Sequence, residues 1–490
     1  MNTIHSITRN LQNASVLVIG DVMLDTYVYG SVDRISPEAP IPVLKIQEQK
    51  AMLGGAGNVI SNLSSLGARS CLISIIGTDE NGGKVTDLLN AIENVTSYLL
   101  KCKATPTVTK TRYVSGYQQI LRTDVEGAPV HSVAVENQII ELVNLQLATT
   151  DIIVLSDYKK GVLSSRLCEG IIKLATSKNI PVFVDPKGSD YSLYRNATLI
   201  KPNEKELRQA FPNANIVGKE EFYARELIAS LGVQYCLLTL GKEGMMLITP
   251  ENSTWFAACK RDVYDVSGAG DTVIASLAAA YATGAQMDDA CALSNIAAGI
   301  VVGKTGTSTT TAAEIEREVR ADSKVSKMKE LSLLVQRWRK EGLTVGFTNG
   351  CFDLIHVGHI QTLLFAKKNC DRLIVAVNSD CSVKRLKGAT RPIHNEKERC
   401  IVMSEFSSVD AIVLFEDDTP EHLIRTLKPD VLIKGADYKR EDVVGFDFIQ
   451  SYGGHVVLAP YIKNSSTTGI ISKMQSVKVP RFAPEMVAVN

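Results

Sequence analysis

The sequence predicts an α/β protein of two domains, each built on a mostly parallel sheet covered on both faces. Three observations predict it. Short β-branched runs recur along the chain, each ending in polar or glycine residues. Helix-like segments separate them, the signature of strands joined by crossovers. A charged stretch with no strand pattern, residues 311–342, divides the runs into two series.

The first series comprises VLVIGD (16–21), IIVLSD (152–157), PVFVD (181–185), TLIKPN (198–203) and YCLLTLG (235–241), with a helix-like segment at Glu221–Leu231. Ligands of such sheets bind beyond the carboxyl ends of the strands. Asp21, Asp157, Asp185, Asn203 and Gly241 fall at those ends. The second series is LTVGFTNG (343–350), RLIVAVNSD (372–380), AIVLFED (411–417), VLIKGAD (431–437) and HVVLAP (455–460). We therefore expect domains at 1–325 and 344–490, joined by a linker helix at 326–343. No internal repeat or low-complexity segment is seen.

Length and composition agree with this division. A chain of 490 residues exceeds one ordinary domain. Hydrophobic residues make up 45% and charged residues 22%, enough apolar material for sizeable cores. The 53 basic residues balance 53 acidic ones, which argues against a general nucleic-acid binder. The ten cysteines form no CxxC pair, so they read as reduced thiols of a cytoplasmic protein. The start, MNTIHSITRN, has no apolar run of signal-peptide type. The most apolar stretch, Thr272–Gly303, is interrupted by Gly284, Asp288 and Asp289. No piece of it reaches the roughly 20 apolar residues that span a bilayer. Two buried helices joined by a turn, and no membrane contact, are expected instead.

Two glycine clusters carry the chemistry of the first half. LGGAGNV (53–59) precedes a helix-like run and reads either as a close-approach site for a polar ligand or as a tight turn. DVSGAGDT (265–272) is more specific. The amides of Gly268, Ala269 and Gly270 stand just before a long helix, where they can form an anion hole for a transferring phosphoryl group. Asp271 follows at the helix start. It can take the proton of a hydroxyl attacking a γ-phosphate, or serve only as an N-cap.

With these residues in place, residues 1 to about 320 resemble the ribokinase family of carbohydrate kinases, through GGAGN (54–58) and DVSGAGD (265–271). The resemblance implies an αβα sandwich with a small β lid, Asp271 as catalytic base and Gly268–Gly270 as the anion hole. KPNEKE (201–206) matches the family's Asn-x-x-Glu element. It implies that Asn203, Glu204, Lys205 and Glu206 lie at the ATP phosphates, with Glu206 acting indirectly on Mg²⁺. TLGKEG (239–244) matches the nucleotide-site turn and brings Thr239, Gly241 and Gly244 to ATP, with Asn295 near the adenine. Asp21, Asp25, Gly54, Gly55 and Asn58 match positions that hold sugar hydroxyls, although Asp21 or Asp25 can equally cap a local turn. Asp185 joins that sugar-side set. A phosphorylated sugar needs a cation near its existing phosphate. Arg112, Lys159, Lys160 and Lys187 are the candidates.

GFTNGCFDLIHVGH (346–359) carries the second half: a strand, a glycine turn, then a helix containing His356-x-Gly358-His359. Two imidazoles three apart share a helix face, and near its N-terminus they can meet phosphate oxygens. A zinc pair is the competing reading, but the Glu of HExxH is missing and no third ligand is evident. The motif resembles the HxGH signature of Rossmann-like nucleotidyltransferases, related to the cytidylyltransferases. In that family the histidines stabilise charge on the α-phosphate, so Cys351 need not be a nucleophile. The resemblance implies nucleotide or substrate contacts at Thr348, Asn349, Gly350, Phe352, Asp353, Gly358, Asp380, Lys384, Arg391, Lys434 and Asp437, with Lys387 and Arg399 in matching segments. SSTTGIISKM (465–474) matches a late Ser/Thr-rich element. It implies Ser466, Thr467 and Thr468 at the triphosphate and Lys473 as a catalytic cation.

The order of the two halves resembles a family of bifunctional heptose enzymes, through GDVMLDTYVYG (20–30), RISPEAPIPV (34–43), LSDYKKG (155–161), VDPKG (184–188), VVGKTGTST (301–309) and VNSDCSVKRLKG (377–388). The resemblance implies ATP-dependent phosphorylation of D-glycero-β-D-manno-heptose 7-phosphate at O1. It also implies adenylylation of the 1-phosphate to ADP-heptose, for lipopolysaccharide core assembly. ATP, Mg²⁺ and sugar phosphates are the implied ligands and a homodimer the implied assembly. A sugar kinase fused to a cytidylyltransferase, or a nucleotide-binding scaffold, would share parts of this pattern.

Overall fold

The computed structural model describes residues 2–116, 118–127, 132–258, 266–304, 308–435 and 439–460. The chain divides into two compact units, Met1–Glu316 and Arg317–Asn490. The strands of the first unit are β1 (Ser15–Gly20), β2 (Val22–Ile35), β3 (Pro42–Gly55), β4 (Arg69–Gly77), β5 (Val95–Cys102), β6 (Thr109–Ser115), β7 (Gln118–Val125), β8 (Ile152–Ser156), β9 (Val182–Asp185), β10 (Leu199–Ile200), β11 (Tyr235–Thr239), β12 (Gly244–Ile248) and β13 (Ser253–Ala257).

Nine of them form one sheet in the order β13-β12-β11-β10-β9-β8-β1-β4-β5. From β5 to β11 all neighbours are parallel, and β12 and β13 close the edge as an antiparallel hairpin. Parallel strands need cover on both faces, so their runs are continuously apolar rather than alternating. In β1 every residue from Val16 on is buried, and in β8 all five are. Leu17, Ile19, Ile153 and Leu155 pack with Leu167 and Ile171 of the helix Ser165–Ser177. The helices Ala56–Ser65 and Ala269–Ala282 both pack against β1. The apolar stretch expected as two buried helices is Ala269–Ala282 and Met287–Val301. No helix among the described residues is long and apolar enough to cross a membrane.

β3-β2-β6-β7 form a separate four-stranded sheet, the β lid. In β2 the first residues are buried and the last exposed, and most of β3 is exposed until it returns at Leu53–Gly55. The β2–β3 pair thus starts opposite the first glycine cluster and ends in it, with Val22 paired to Gly55.

The second unit is a five-stranded, fully parallel sheet in the order β16-β15-β14-β17-β18, from β14 (Val345–Gly350), β15 (Arg372–Asn378), β16 (Ala411–Phe415), β17 (Val431–Gly435) and β18 (His455–Ala459). β14 starts the chain of strands yet lies in the middle, so its end is where the winding reverses, the position at which such sheets bind ligands. The charged stretch divides into helices Ala312–Lys324 and Met328–Lys340. The second is no free linker over 326–343. Its Leu331, Val335 and Trp338 are buried in the core with Val345, Phe347 and Leu432. The reason is a three- and four-residue apolar spacing hidden within a charged composition.

Leu331→Ala should therefore lower the stability of the second unit by about 2–5 kcal/mol through lost burial and a residual cavity. Denaturant unfolding would register this as a lower midpoint of that unit's transition. An unchanged midpoint would make the helix a dispensable linker.

Candidate active sites

In the first unit the strand ends converge on a cavity of about 560 Å³. Its floor is the N-terminus of the helix Ala269–Ala282, which Gly268 enters with φ 80°. Asp271 stands in the first turn and is 5% exposed. One carboxylate oxygen, Oδ2, accepts from Asn58 Nδ2 at 2.7 Å, and the other, Oδ1, accepts from the Tyr158 hydroxyl at 2.6 Å. Hydrogen bonds to a charged group contribute about 1.5–3 kcal/mol each. Burial pushes the Asp271 carboxyl above its usual value, opposed by the Tyr158 and Asn58 hydrogen bonds and by Lys201. One turn on, Asn62 Oδ1 accepts from Thr272 Oγ1 at 2.8 Å. The helix Ala56–Ser65 is thereby latched to the helix bearing Asp271.

Beside Asp271 lies a buried cation. Lys201 is 3% exposed, and its Nζ is 2.9 Å from Asp185 Oδ1. Burial disfavours its charge, but Asp185, Glu206 and Asp271 together hold its pKa above the usual value. Burial likewise pushes Asp185 up to about 7, against the pull of Lys201. A Cβ added to Gly270 would sit 3.5 Å from Lys201 Nζ, so the ammonium adjoins the glycine turn. The helix start leaves first-turn N–H groups without helical acceptors. Of these the Ala269 N–H is taken by Val266 O at 3.3 Å, while Thr272 N–H bonds Gly268 O at 3.0 Å.

Asn203 and Glu206 form a reciprocal cap on the helix Glu204–Ala210: Glu206 N–H donates to Asn203 Oδ1 at 2.9 Å, and Asn203 N–H to Glu206 Oε2 at 2.8 Å. The other Glu206 oxygen pairs with Lys187 Nζ at 2.7 Å. Thr239, Gly241, Gly244, Asn295 and Lys187 line the same cavity. A Cβ on Gly244, whose φ is 107°, would meet Phe256 O at 2.1 Å, so only glycine fits this hairpin. Asn295 Nδ2 donates to Ala257 O at 2.7 Å, tying its helix to β13. Glu204 and Lys205 lie outside the cavity: Glu204 pairs with Arg208 and faces another cleft, and Lys205 is exposed. Consecutive residues on a capped helix point different ways, which a linear motif does not reveal.

Several sugar-side positions have structural duties. Asp21 is 1% exposed and accepts backbone N–H bonds from Tyr158 (2.8 Å), Lys160 (3.0 Å) and Val162 (2.9 Å). It caps the loop after β8, far away in sequence, rather than the local turn that its sequence position also allowed. Gly55 has φ 59°, and a Cβ there would meet Asp21 O at 2.3 Å; a Cβ on Gly54 would meet Asp25 Oδ2 at 2.8 Å. Asp25 Oδ1 and Arg112 Nη1 lie 3.3 Å apart, close enough to attract. Neither atom makes an aligned hydrogen bond, although both are buried. Such atoms ask for a partner. Lys159 lies 3.6 Å from Asp157 and Lys160 2.6 Å from Glu126. Sequence reasoning passed over Tyr158 and Lys201, although both stood in quoted segments. Lysine and tyrosine at strand ends usually read as solvated or packing residues, and only burial beside a carboxylate marks them.

In the second unit the end of β14 carries Thr348, Asn349 and Gly350. His356 is not within the helix but its N-cap, with φ −140°, and the helix runs Val357–Lys368. The two imidazole centres lie 3.9 Å apart, and His356 N–H approaches His359 Nδ1 at 3.4 Å. Burial, with the neighbouring His356, pushes His359 down to about 4, and burial lowers His356 too. Both are then neutral at pH 7. His356 Nδ1 and Asn349 Oδ1 are buried without partners. Phe352 packs against His359, with ring centres 5.3 Å apart.

Around them a charged frame fixes the loops. Asp353, 3% exposed, pairs with Arg391 Nε and accepts Ile393 N–H at 2.6 Å and His394 N–H at 3.2 Å. Arg399, 1% exposed, donates to Cys351 O (2.5 Å), Asp380 Oδ1 (2.7 Å) and His394 O (3.1 Å). Asp353, Asp380, Arg391 and Arg399 thus hold one another and the motif turn. Burial pushes the Cys351 thiol up, the opposite of nucleophile activation. Lys384 and Lys387 are exposed, and Lys434 and Gly358 are partly buried. Asp437, Ser466, Thr467, Thr468 and Lys473 lie outside the described residues.

Comparison with known proteins follows the same division. A family model described as pfkB family carbohydrate kinase matches residues 13–314, and one described as cytidylyltransferase-like matches 347–468. The bifunctional protein HldE of Paramagnetospirillum magneticum is 45% identical over 473 residues, 95% of this chain and 97% of that one. HldE of Caulobacter vibrioides is 45% identical over 478 residues, 96% and 98% of the two chains. Among solved structures, phosphofructokinase-2 of Escherichia coli in complex with potassium aligns with TM-score 0.53 at 20% identity, over 62% of this chain and 97% of that one. A putative phosphofructokinase of Staphylococcus aureus aligns with TM-score 0.51 at 19% identity, over 62% and 95%. At these identities the structural likeness concerns the fold of the first unit.

The depressed His359 value makes a pH prediction. Folded His359 should stay neutral until about pH 4. The unfolded chain takes up that proton near pH 6.5, so this group's stabilisation is complete above about 6.5 and is lost as pH falls toward 4. Its Cε1–H resonance, assigned with His359→Gln, should not titrate between pH 5 and pH 8. A midpoint near 6.5 would contradict the burial argument.

Proposed function

The chain belongs to the family of bifunctional HldE proteins, and on that premise we propose that its two units catalyse separate ATP-dependent steps on one sugar. The first unit phosphorylates D-glycero-β-D-manno-heptose 7-phosphate at O1. The second adenylylates heptose 1-phosphate to ADP-heptose and pyrophosphate, for lipopolysaccharide core assembly. The observation that carries this reading is a chain matched over 95% of its length by a bifunctional relative, with a buried Asp271 in one unit and the His356/His359 pair in the other.

In the kinase step Asp271 accepts the proton of the O1 hydroxyl as that oxygen bonds to the γ-phosphorus of ATP. The bond to the β–γ bridging oxygen breaks and ADP departs with its electron pair. Lys201 and the glycine turn Gly268–Gly270 face the charge on the phosphoryl group. Asp25 and Arg112 have unfilled hydrogen-bonding capacity for the sugar. Mg²⁺, which neutralises charge on the ATP phosphates, prefers one or two carboxylates plus phosphates and waters. Glu206, whose two oxygens are engaged by Lys187 and the Asn203 N–H, fits an indirect role toward it. In the second unit neutral His356 and His359 donate hydrogen bonds to the α-phosphate as the sugar phosphate oxygen attacks and pyrophosphate leaves. Lys473, Ser466, Thr467 and Thr468 complete the triphosphate contacts in this reading.

We assign the enzyme to the cytoplasm, in keeping with its use of ATP in both steps. We also assign it a homodimeric assembly through the lid sheet, supported by the exposed Ile35, Ile46, Leu121 and Val125 on that sheet.

Asp271→Asn should lower the kinase rate by about 10³-fold and leave adenylylation within about twofold. His356→Ala should do the reverse, with an adenylylation loss of about 10²–10³-fold. Steady-state assays of both reactions on each purified variant check this. Loss of both activities from one substitution, with both units folded, would refute the separate-site account.

A further inference from the structure

We propose that Tyr158 is a positioning residue of the kinase step: its hydroxyl holds the Asp271 carboxylate ionised and oriented for the incoming sugar hydroxyl. The proposal rests on the reading of Asp271 as the base.

The geometry carries it. The Tyr158 hydroxyl donates to Asp271 Oδ1 at 2.6 Å, while Asn58 occupies Oδ2. Each carboxylate oxygen therefore has one donor and retains one lone pair, so the base can still accept a proton. Tyr158 is partly buried and lines the cavity. Its own proton stays in place: burial, followed by Asp271, Asp185 and Asp25, pushes the phenol well above its usual value. Tyr158 is thus a donor and not a competing base.

The groups facing Asp271 come from four elements. Tyr158 lies on the loop after β8, Lys201 follows β10, Asp25 lies on β2 and Asp185 ends β9. Lys110 of β6 sits with Nζ 5.6 Å from the centre of the Tyr158 ring. Burial works against ionisation of Asp271. Among the opposing influences the Tyr158 hydrogen bond is the largest, ahead of Asn58 and of Lys201.

The backbone of Tyr158 is fixed with unusual economy. Buried Asp21 accepts the N–H groups of residues 158, 160 and 162, and Asp157 Oδ1 accepts the Lys159 N–H at 2.6 Å. Between them Lys159 takes a left-handed φ of 55°, which this clamp sustains. Asp21, at the end of β1, thereby sets the phenol that sets the base. In the reaction the sugar proton moves to Asp271 and Tyr158 keeps its own.

The test is the pH profile of kinase kcat/KM in the full chain. Tyr158→Phe removes the hydroxyl and little else. The acid limb should move up by about one pH unit, the scale of one hydrogen bond to a carboxylate. Activity on the alkaline plateau should also fall, by roughly tenfold, because the carboxylate loses one of its two orienting donors. A uniform loss with an unmoved limb would make Tyr158 a packing residue and overturn the proposal; so would an unchanged profile. If the Phe variant fails to fold, 3-fluorotyrosine at position 158 keeps the shape with a stronger donor. Its limb should move down, and an unmoved limb again overturns the proposal. Asp271→Asn in parallel keeps the two readings apart: kinase activity in that variant defeats the base assignment itself, whatever Tyr158 does.

Discussion

A carboxylate that is almost wholly buried has to be held by donors, and the kinase half is organised around that constraint at Asp271. Asn58 supplies one donor and so fixes where the helix Ala56–Ser65 must lie. Tyr158 supplies another, and Asp21 fixes Tyr158. Lys201 supplies a nearby positive charge and is itself retained by Asp185. Gly54 and Gly55 are glycines because Asp25 and the Asp21 carbonyl approach where a Cβ would be. A chain of buried charges of this kind contributes little net stability, since desolvation consumes most of the attraction. It does specify a single arrangement, and that arrangement puts the carboxyl group of Asp271 beside the Lys201 ammonium at the start of a helix.

The second unit meets a similar constraint with the opposite sign. Among the described residues one of its most deeply buried charges is Arg399, satisfied by two backbone carbonyls and Asp380. That guanidinium braces the turn between β14 and the histidine pair from beneath. The pair is left neutral by burial, so it offers N–H donors rather than fixed positive charge. Donors that gain strength only as charge builds on phosphate favour the transition state over the ground state.

Much of this was legible in the sequence. Most parallel strands are continuous apolar runs that appear within a residue or two of their expected limits, as in β1, β8, β11 and β15; β10 is shorter than expected, and the less buried β4 and β5 were not among the expected runs. The glycine clusters and the two histidines announce themselves because few other arrangements need them. The lid strands were not legible. β3 is mostly exposed and β2 passes over a site rather than a core, so neither shows the alternation that marks a strand. The helix Met328–Lys340 was found but misplaced as a linker, because its charged face outweighs the three residues it buries. At the sites, types of residue were readable while duties were not. Asp21, Asp353 and Asp380 look from sequence like ligand contacts, and in the fold they hold loops. Tyr158 and Lys201 look like surface and packing residues, and in the fold they surround the base. Whether a polar side chain faces a ligand or a neighbouring loop depends on contacts far apart in the chain, which local patterns do not encode.

The most direct test of the central claim is a ³¹P NMR assay of the purified chain with Mg-ATP and heptose 7-phosphate, then with heptose 1-phosphate, with CTP as control. The account predicts a new anomeric phosphate signal with ADP in the first tube. In the second it predicts the paired resonances of a sugar nucleotide diphosphate with free pyrophosphate, from ATP and not from CTP. No turnover of either heptose phosphate, or preference for CTP in the second tube, would contradict the assignment of substrates while leaving the fold in place.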